Sequence, residues 1–275
     1  MQTNLVVERF KQQGFVKIKQ VLKPSVITKL QHFCDELVAQ AQSHYVAGLP
    51  LDNIAVMQTA DEPFVYRVNE LFQFQPQFAQ LLAQTELMSY VEAIIGEAVL
   101  PSYESLVIKN SLDARGFDWH RDMAVRTQEP IFTVGVYLDD AIAQQGALTV
   151  IPQSHCSQAS VCDLKRQLSI AQLQSVDITA NAGDVVIHHV NTVHASGRQK
   201  GSAIRRTIYF EFRAVSHFID NPCFPSEWVE KRQALMANLN ALNSADMANN
   251  VQLPNDLYVT QVQIEPAEYC IEFAS

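Results

Sequence analysis

Hydrophobic and polar positions change period along this chain, and the change divides it. In "GFVKIKQVL", Val16 and Ile18 alternate with Lys17 and Lys19, the period-two pattern of a half-exposed strand. Pro24 and Ser25 then open a stretch where Val26, Ile27, Leu30, Phe33, Leu37, Val38 and Ala41 recur at helical spacing. The N-terminal region therefore reads helix, strand, helix. A second helical block is predicted from about Glu70 to Ile95, burying Leu71, Phe74, Phe78, Leu81, Leu82, Leu87, Val91 and Ile94–Ile95, with Gly96 as its C-cap.

From about residue 97 the pattern shortens. "SLVIKN", "GFDWHRDM", "IFTVGVYLDD", "ALTVIP", "SVDITA", "DVVIHHV" and "IRRTIYFEFR" follow one another with turn residues between them. Short strands at that spacing predict a sandwich or barrel, not βαβ units. Helical composition returns at 226–245, and "LYVTQVQIEPAEYCIEF" predicts one or two closing strands. No repeat or low-complexity linker interrupts the chain. We expect one domain over 1–275: a helical region at 1–96, a jelly-roll core at 97–213 carrying any metal site, and a C-terminal helix with closing strands at 214–275.

Composition narrows the function classes. The 275 residues are 48% hydrophobic and 18% charged, as in ordinary globular proteins. "MQTNLVVERF" lacks the apolar core of a signal peptide, and no apolar run reaches the length of a membrane span, so no membrane partner is expected. Cys34, Cys156, Cys162, Cys223 and Cys270 are odd in number and scattered, with no CxxC pair. That argues against a disulfide framework or structural zinc and for a reducing cytoplasm. A net charge of −9 without a dense basic run excludes nucleic acid as a natural partner; "RQKGSAIRR" is the nearest basic cluster. Nothing in the sequence speaks to oligomeric state.

The candidate chemistry begins at "GFDWHRDMAV". Residues i and i+2 of a strand share a face, so His120 and Asp122 project together, roughly 6–7 Å apart at the backbone, while Arg121 points away. An HxD tripeptide alone is as well explained by a strand end facing solvent, and a metal needs a third ligand. His32 and His44 belong to or border an amphipathic helix, His155 lies in a loop, and His217 sits just outside a strand. His188 and His189 point to opposite faces of one strand, so at most one faces inward. His194 differs: it follows a Gly183–Asp184 turn and an apolar strand, at the point where that strand gives out.

Taken jointly, "WHRD", "YLDDAIAQQGALTVIPQSH" and "AGDVVIHHVNTVHASGRQKGSAIRRTIYFEF" resemble the phytanoyl-CoA dioxygenase family of iron(II)/2-oxoglutarate oxygenases over roughly residues 100 to 213, and "ERFKQQGFVKIKQVL" resembles that family's opening. The resemblance implies a mainly β fold with flanking helices around a double-stranded β-helix (jelly roll, cupin-like). It implies Fe(II) held by His120, Asp122 and His194, the two-histidine, one-carboxylate facial triad, with 2-oxoglutarate as cosubstrate and O2 as oxidant. Arg205 stands where the family places the arginine that clamps the far carboxylate of 2-oxoglutarate, eleven residues after His194. Alternation puts Thr207 and Tyr209 on its face, and Arg206 with Ile208, Phe210 and Phe212 on the other. Ser196 and Lys109 match family positions near the cosubstrate, though a turn serine and a surface lysine explain them about as well. Trp119 and Phe117 read as core. Gln145 and Gln153 stand where the family has Asn and Gly, departures that bear on turns. Asp122 separates the chain from related halogenases, which have a small residue there.

The leading expectation is a dioxygenase that hydroxylates a small metabolite, releasing succinate and CO2. Rival classes are a non-catalytic metal- or ligand-binding jelly roll and a zinc-dependent hydrolase. The first would leave Arg205 and Thr207 without a task, and the second also lacks a helical HExxH. Substrate contacts are expected from 43–66, 111–118 and 214–230, the last with Phe218, Phe224 and Trp228. A CoA thioester would want a basic surface that this acidic chain hardly offers, which favours a small polar molecule.

Overall fold

The computed structural model describes residues 2–59, 62–111, 116–200, 203–241, 251–258, 262 and 265–270. Its strands are β1 (Phe15–Ile18), β2 (Ile54–Gln58), β3 (Pro63–Asn69), β4 (Val99–Lys109), β5 (Phe117–Arg121) and β6 (Phe132–Tyr137). They continue as β7 (Leu148–Val150), β8 (Val176–Ile178), β9 (Val185–His189), β10 (His194–Ser196), β11 (Arg205–Ala214) and β12 (Glu268–Tyr269). A seven-stranded sheet in the order β1-β9-β6-β11-β4-β3-β2 faces a five-stranded sheet in the order β12-β5-β10-β7-β8, and neighbouring strands run antiparallel. This is the expected jelly roll with flanking helices.

Alternation on β11 decides what lies on each side of the larger sheet. Ile208, Phe210 and Phe212 join Val134, Val136, Val185 and Ile187 in the main core. Helices α1 (Gln2–Gln13) and α2 (Pro24–Val46) supply residues to that core, as do α3 (Leu71–Phe74) and α4 (Thr85–Ile95). Phe10 meets Phe132 edge-on at 5.4 Å, and Phe72 lies 6.1 Å from Phe210. Burying each such ring contributes about 2 kcal/mol. Arg205 and Tyr209 occupy the opposite face and line a cavity between the sheets. A smaller cluster of Tyr137, Leu148, Val150, Ile178 and Val186 closes the space beside it.

Several expectations need adjustment. Within and beyond the 43–66 segment, β2 and β3 pair antiparallel on the edge of the large sheet, while 60–61 lie outside the described residues. The block from Glu70 to Ile95 is broken into α3, a 3₁₀ turn at Pro76–Ala83 and α4, because Pro76 has no N–H to donate to a continuing helix. Gly96 does cap α4, in the left-handed conformation at φ 86°. After α5 (Val161–Ser169) and α6 (Val215–Asp220), α7 (Ser226–Asn240) forms the predicted C-terminal helix; the rest of that prediction, 242–245, lies outside the described residues. Of the predicted tail strands, β12 is present, while 259–261, 263–264 and 271–275 lie outside the described residues. The expectation against disulfides is corrected: Cys162 on α5 is bonded to Cys270, 108 residues away. Such a separation leaves no spacing motif to read. No helix among the described residues is long and apolar enough to cross a membrane.

Arg206 shows how the sheet is tied to its helices. Its backbone N–H and Nε both donate to Asp139 Oδ2 at 2.8 Å, and Nη2 donates to Asp139 Oδ1 at 2.8 Å. Nη1 reaches Asp35 Oδ1 on α2 at 2.7 Å. Replacing Arg206 by Ala leaves the half-buried Asp139 carboxylate short of its partner. Arg206→Ala is expected to lower unfolding free energy by about 3 kcal/mol in chemical denaturation, without changing the affinity for ligands in the inter-sheet cavity.

Candidate active site

The centre of the site is set by one strand pairing. β10 runs antiparallel to β5 with His194 directly opposite His120, so the two imidazoles stand side by side with ring centroids 4.2 Å apart. Asp122 follows two residues after His120, just past the end of β5, and turns its carboxylate onto the pair. Asp122 Oδ1 is 3.6 Å from His120 Nε2 and 3.5 Å from His194 Nε2. The three side chains offer donor atoms all within 4.8 Å of one another. Donors about 2.1 Å from a common ion at right angles stand roughly 3 Å apart, so a small closure completes the site.

The surroundings assign each donor its role. His120 Nδ1–H donates to the Asp118 carbonyl at 2.7 Å, and His194 Nδ1–H donates to the Thr192 carbonyl at 2.9 Å. Both Nε2 lone pairs are thereby turned into the cavity. Burial, reinforced by neighbouring His120, pushes the His194 pKa down to about 3, which keeps that imidazole neutral. Asp122 Oδ2 accepts from Thr133 Oγ1 at 2.7 Å and from His188 Nε2 at 3.0 Å. Oδ1 is left for an ion. Burial works to raise the Asp122 carboxyl pKa, but the adjacent His194, His188 and His120 outweigh it and hold the carboxyl well below its usual range. Two imidazole nitrogens and one carboxylate oxygen make an N₂O donor set that fits a divalent iron.

Arg205 lines the cavity from β11, and Thr207 is two residues further along that strand. Arg205 is buried and donates through Nη1 to the Gly146 carbonyl; among the described residues no carboxylate lies within ion-pair distance. Among the described residues, its Nε and the Thr207 hydroxyl are buried without hydrogen-bond partners, and the buried Tyr137 hydroxyl meets Tyr209. Thr207 is opposite Tyr137 in the ladder, so these groups cluster. Buried polar atoms without partners cost free energy unless a ligand satisfies them, and this set suits a carboxylate. Gly135 makes the room: a Cβ there would come within 2.9 Å of the Tyr209 ring.

Lys109 does not line the cavity. Its ammonium donates to Ser196 Oγ at 2.7 Å and to the Gly197 carbonyl at 2.9 Å. Ser196 is at the cavity wall. Phe117, read as core, also lines the cavity, with the Lys109 ammonium 5.0 Å from its ring centre. Trp119 packs in an apolar cluster with Ile151 and Val161, as expected. The cavity measures about 430 Å³. Phe218, Phe224 and Trp228 stack on one another in a separate cluster and do not reach it, which corrects their assignment as substrate contacts. Tyr103, Arg67, Asn69, Glu211, Glu265 and Tyr269 line it instead. Tyr269 lies flat on His120, 4.9 Å between centroids and 10° from parallel. Alternation along β6 and β3 would have grouped Thr133 with Tyr137 and Arg67 with Asn69, but it could not show that those faces look inward.

Gln153 takes the left-handed conformation at φ 64° that a glycine favours, so the turn survives that departure. The model of the phytanoyl-CoA dioxygenase (PhyH) family matches residues 10–207. A probable alpha-ketoglutarate-dependent hypophosphite dioxygenase of Stutzerimonas stutzeri is 26% identical over 114 residues, 35% of this chain; the chain spans only 39% of that relative. Among solved structures, AviO1 from Streptomyces viridochromogenes Tue57 is 29% identical with a TM-score of 0.66, covering 81% of this chain and 96% of AviO1. EctD from S. alaskensis, solved with 2-oxoglutarate and 5-hydroxyectoine, shares the fold at 20% identity and a TM-score of 0.63, covering 76% and 75% of the two chains. The chain belongs to the phytanoyl-CoA dioxygenase family and is a 2-oxoglutarate-dependent oxygenase, a class that works with iron(II) and dioxygen.

His189, next to His188, faces away from the site. Nε2–H donates to the Glu129 carbonyl at 3.0 Å, and Nδ1 accepts the Asn191 N–H at 3.0 Å. Burial lowers its pKa to about 4. The unfolded imidazole binds a proton near pH 6.5 and the folded one resists it, so this contribution to stability is complete above pH 6.5 and is lost as pH falls towards 4. Chemical denaturation at pH 5 is expected to give an unfolding free energy lower than at pH 7 by roughly 2 kcal/mol from this group, and His189→Gln should flatten that slope.

Proposed function

We propose that this chain is an iron(II)- and 2-oxoglutarate-dependent hydroxylase of a small polar molecule. In this proposal His120, Asp122 and His194 hold the metal, and Arg205 with Thr207 holds the far carboxylate of 2-oxoglutarate. The observation that carries it is the coexistence, in one cavity, of two imidazoles and a carboxylate with converging donor atoms and a buried guanidinium with no carboxylate of its own among the described residues. Iron with 2-oxoglutarate and dioxygen supplies oxidation of a substrate C–H to C–OH, with succinate and CO2 as coproducts.

The chain's own groups do the positioning. Asp118 and Thr192 carbonyls fix the imidazole tautomers, while Thr133 and His188 keep Asp122 Oδ2 occupied and Oδ1 free. Arg205 offers a planar donor fork for a carboxylate. Lys109 supports the wall through Ser196, a role one step removed from the ligand. Tyr269 shields His120 from solvent.

A cavity of about 430 Å³ is at the small end of ligand pockets. Of the basic cluster near 198–206, Arg205 is internal and Arg206 is committed to Asp139 and Asp35. Both points favour a small molecule over a CoA thioester. A zinc hydrolase or a purely binding jelly roll would leave the Arg205 end of the cavity without a task.

Anaerobic addition of iron(II) and then 2-oxoglutarate should produce a weak visible charge-transfer band. Asp122→Ala should abolish it by loss of metal. Arg205→Ala should retain metal but weaken 2-oxoglutarate at least tenfold, consistent with loss of a charge-assisted pair. A wild-type protein that binds iron but develops no band, or an Arg205→Ala protein with unchanged 2-oxoglutarate affinity, would overturn the assignment.

A further inference from the structure

The cavity holds a second arginine, Arg67 on β3, that the cosubstrate arrangement does not use. We infer that Arg67 is the specificity-determining residue for the oxidisable substrate, and that this substrate carries an oxyanion group of the carboxylate or phosphonate class. The inference rests on the oxygenase reading above and adds the class of molecule being oxidised.

Among the described residues, Arg67 makes a single side-chain hydrogen bond, from Nη2 to the Tyr103 hydroxyl at 2.8 Å. Its Nε is buried with no partner. No carboxylate among the described residues lies within ion-pair distance of it. Its neighbours explain why: the two acids on this wall are already engaged. Glu211 accepts from Ser102 Oγ at 2.5 Å and Arg213 Nε at 2.8 Å, and Glu265 accepts from Arg213 Nη2 at 2.7 Å. Arg213 engages both carboxylates, and Arg67 is left as a half-buried cation with most of its donors unspent among the described residues.

Arg67 is also held in place, which a recognition group requires. The Tyr103 hydroxyl accepts from Arg67 and donates to Asn69 Oδ1 at 2.7 Å, so β3 and β4 fix the guanidinium from below. The Tyr103 ring supports it, with the guanidinium carbon 5.9 Å from the ring centre. Arg67 lines the same cavity as His120, Asp122, His194 and Tyr269. Among the described residues no carboxylate pairs with Arg67 directly, and its buried Nε is left without an acceptor, which costs free energy. A substrate oxyanion would offset that cost and present the rest of the molecule towards His120 and Asp122.

The test is calorimetric binding to the anaerobic protein loaded with iron(II) and saturating 2-oxoglutarate, so that the Arg205 site is filled. Methylphosphonate and propionate are the charged probes, and propionamide is the neutral one. We expect both anions to bind wild type, propionamide to bind at least tenfold more weakly, and Arg67→Gln to lose at least tenfold for the anions. Arg67→Lys should recover part of that loss, and Tyr103→Phe should weaken the anions severalfold. Equal binding of charged and neutral probes, no binding by any probe, or full anion affinity in Arg67→Gln overturns the inference. The charge-transfer band separates the failures. Its absence in wild type defeats the oxygenase reading itself, whereas its loss in Arg67→Gln alone would assign Arg67 to 2-oxoglutarate and overturn the substrate role.

Discussion

In the ladder between β10 and β5, His194 stands opposite His120, and the rest of the site depends on that register. Side chains alternate across a strand, so a slip of one residue would turn one imidazole out of the cavity. The register is secured from outside the site. β10 is also paired with β7, and β5 is also paired with β12. Arg121, facing away from His120, donates to the carbonyls of Asn191, Ala159, Ser154 and Ser157 and to Glu268, locking the loops on both flanks. A fully buried arginine spent entirely on backbone carbonyls and one acid holds the strand end that carries the histidine.

The larger sheet divides apolar packing from chemistry by the same alternation. On β11, Ile208, Phe210 and Phe212 enter the helix-covered core, while Arg205, Tyr209 and Glu211 line the cavity. Adjacent arginines thus meet different fates. Arg206 is spent on Asp139 and Asp35, while Arg205 meets only a carbonyl, with buried hydroxyls nearby. Charge in the cavity is distributed on the same principle. Arg213 engages Glu211 and Glu265, whereas Arg205 and Arg67, which have no ion pair with an acid among the described residues, lie on different strands of the cavity wall.

A strap at 265–270 completes the mouth. Glu268 pairs with Arg126 at 2.8 Å and accepts the Val161 N–H at 2.8 Å; Cys270 is bonded to Cys162 on α5, and Tyr269 between them lies on His120. The strap joins the C-terminal segment to α5 beside His120, a long-range closure that no local pattern announces.

The triad was legible in the sequence because its logic is local: an i, i+2 pair on one strand and a histidine at the end of another, within a spacing shared with a known family. The two faces of β11 were legible for the same reason, since period-two alternation is a backbone property. His188 and Thr133 could be assigned only to a face, because which face looks inward depends on what packs against it. Arg67, Tyr103 and Glu265 come from β3, β4 and the tail, segments far apart in the chain that meet only when the sheet closes. The Cys162–Cys270 bond has the same character. The sequence by itself determined the periodicities and the fold class, which follow from neighbouring residues, and its resemblance to a known family nominated His120, Asp122 and His194. Only the tertiary structure decided which polar groups share a cavity and which charges are left unpaired, because pairing is settled by distances between strands that sequence separation does not encode.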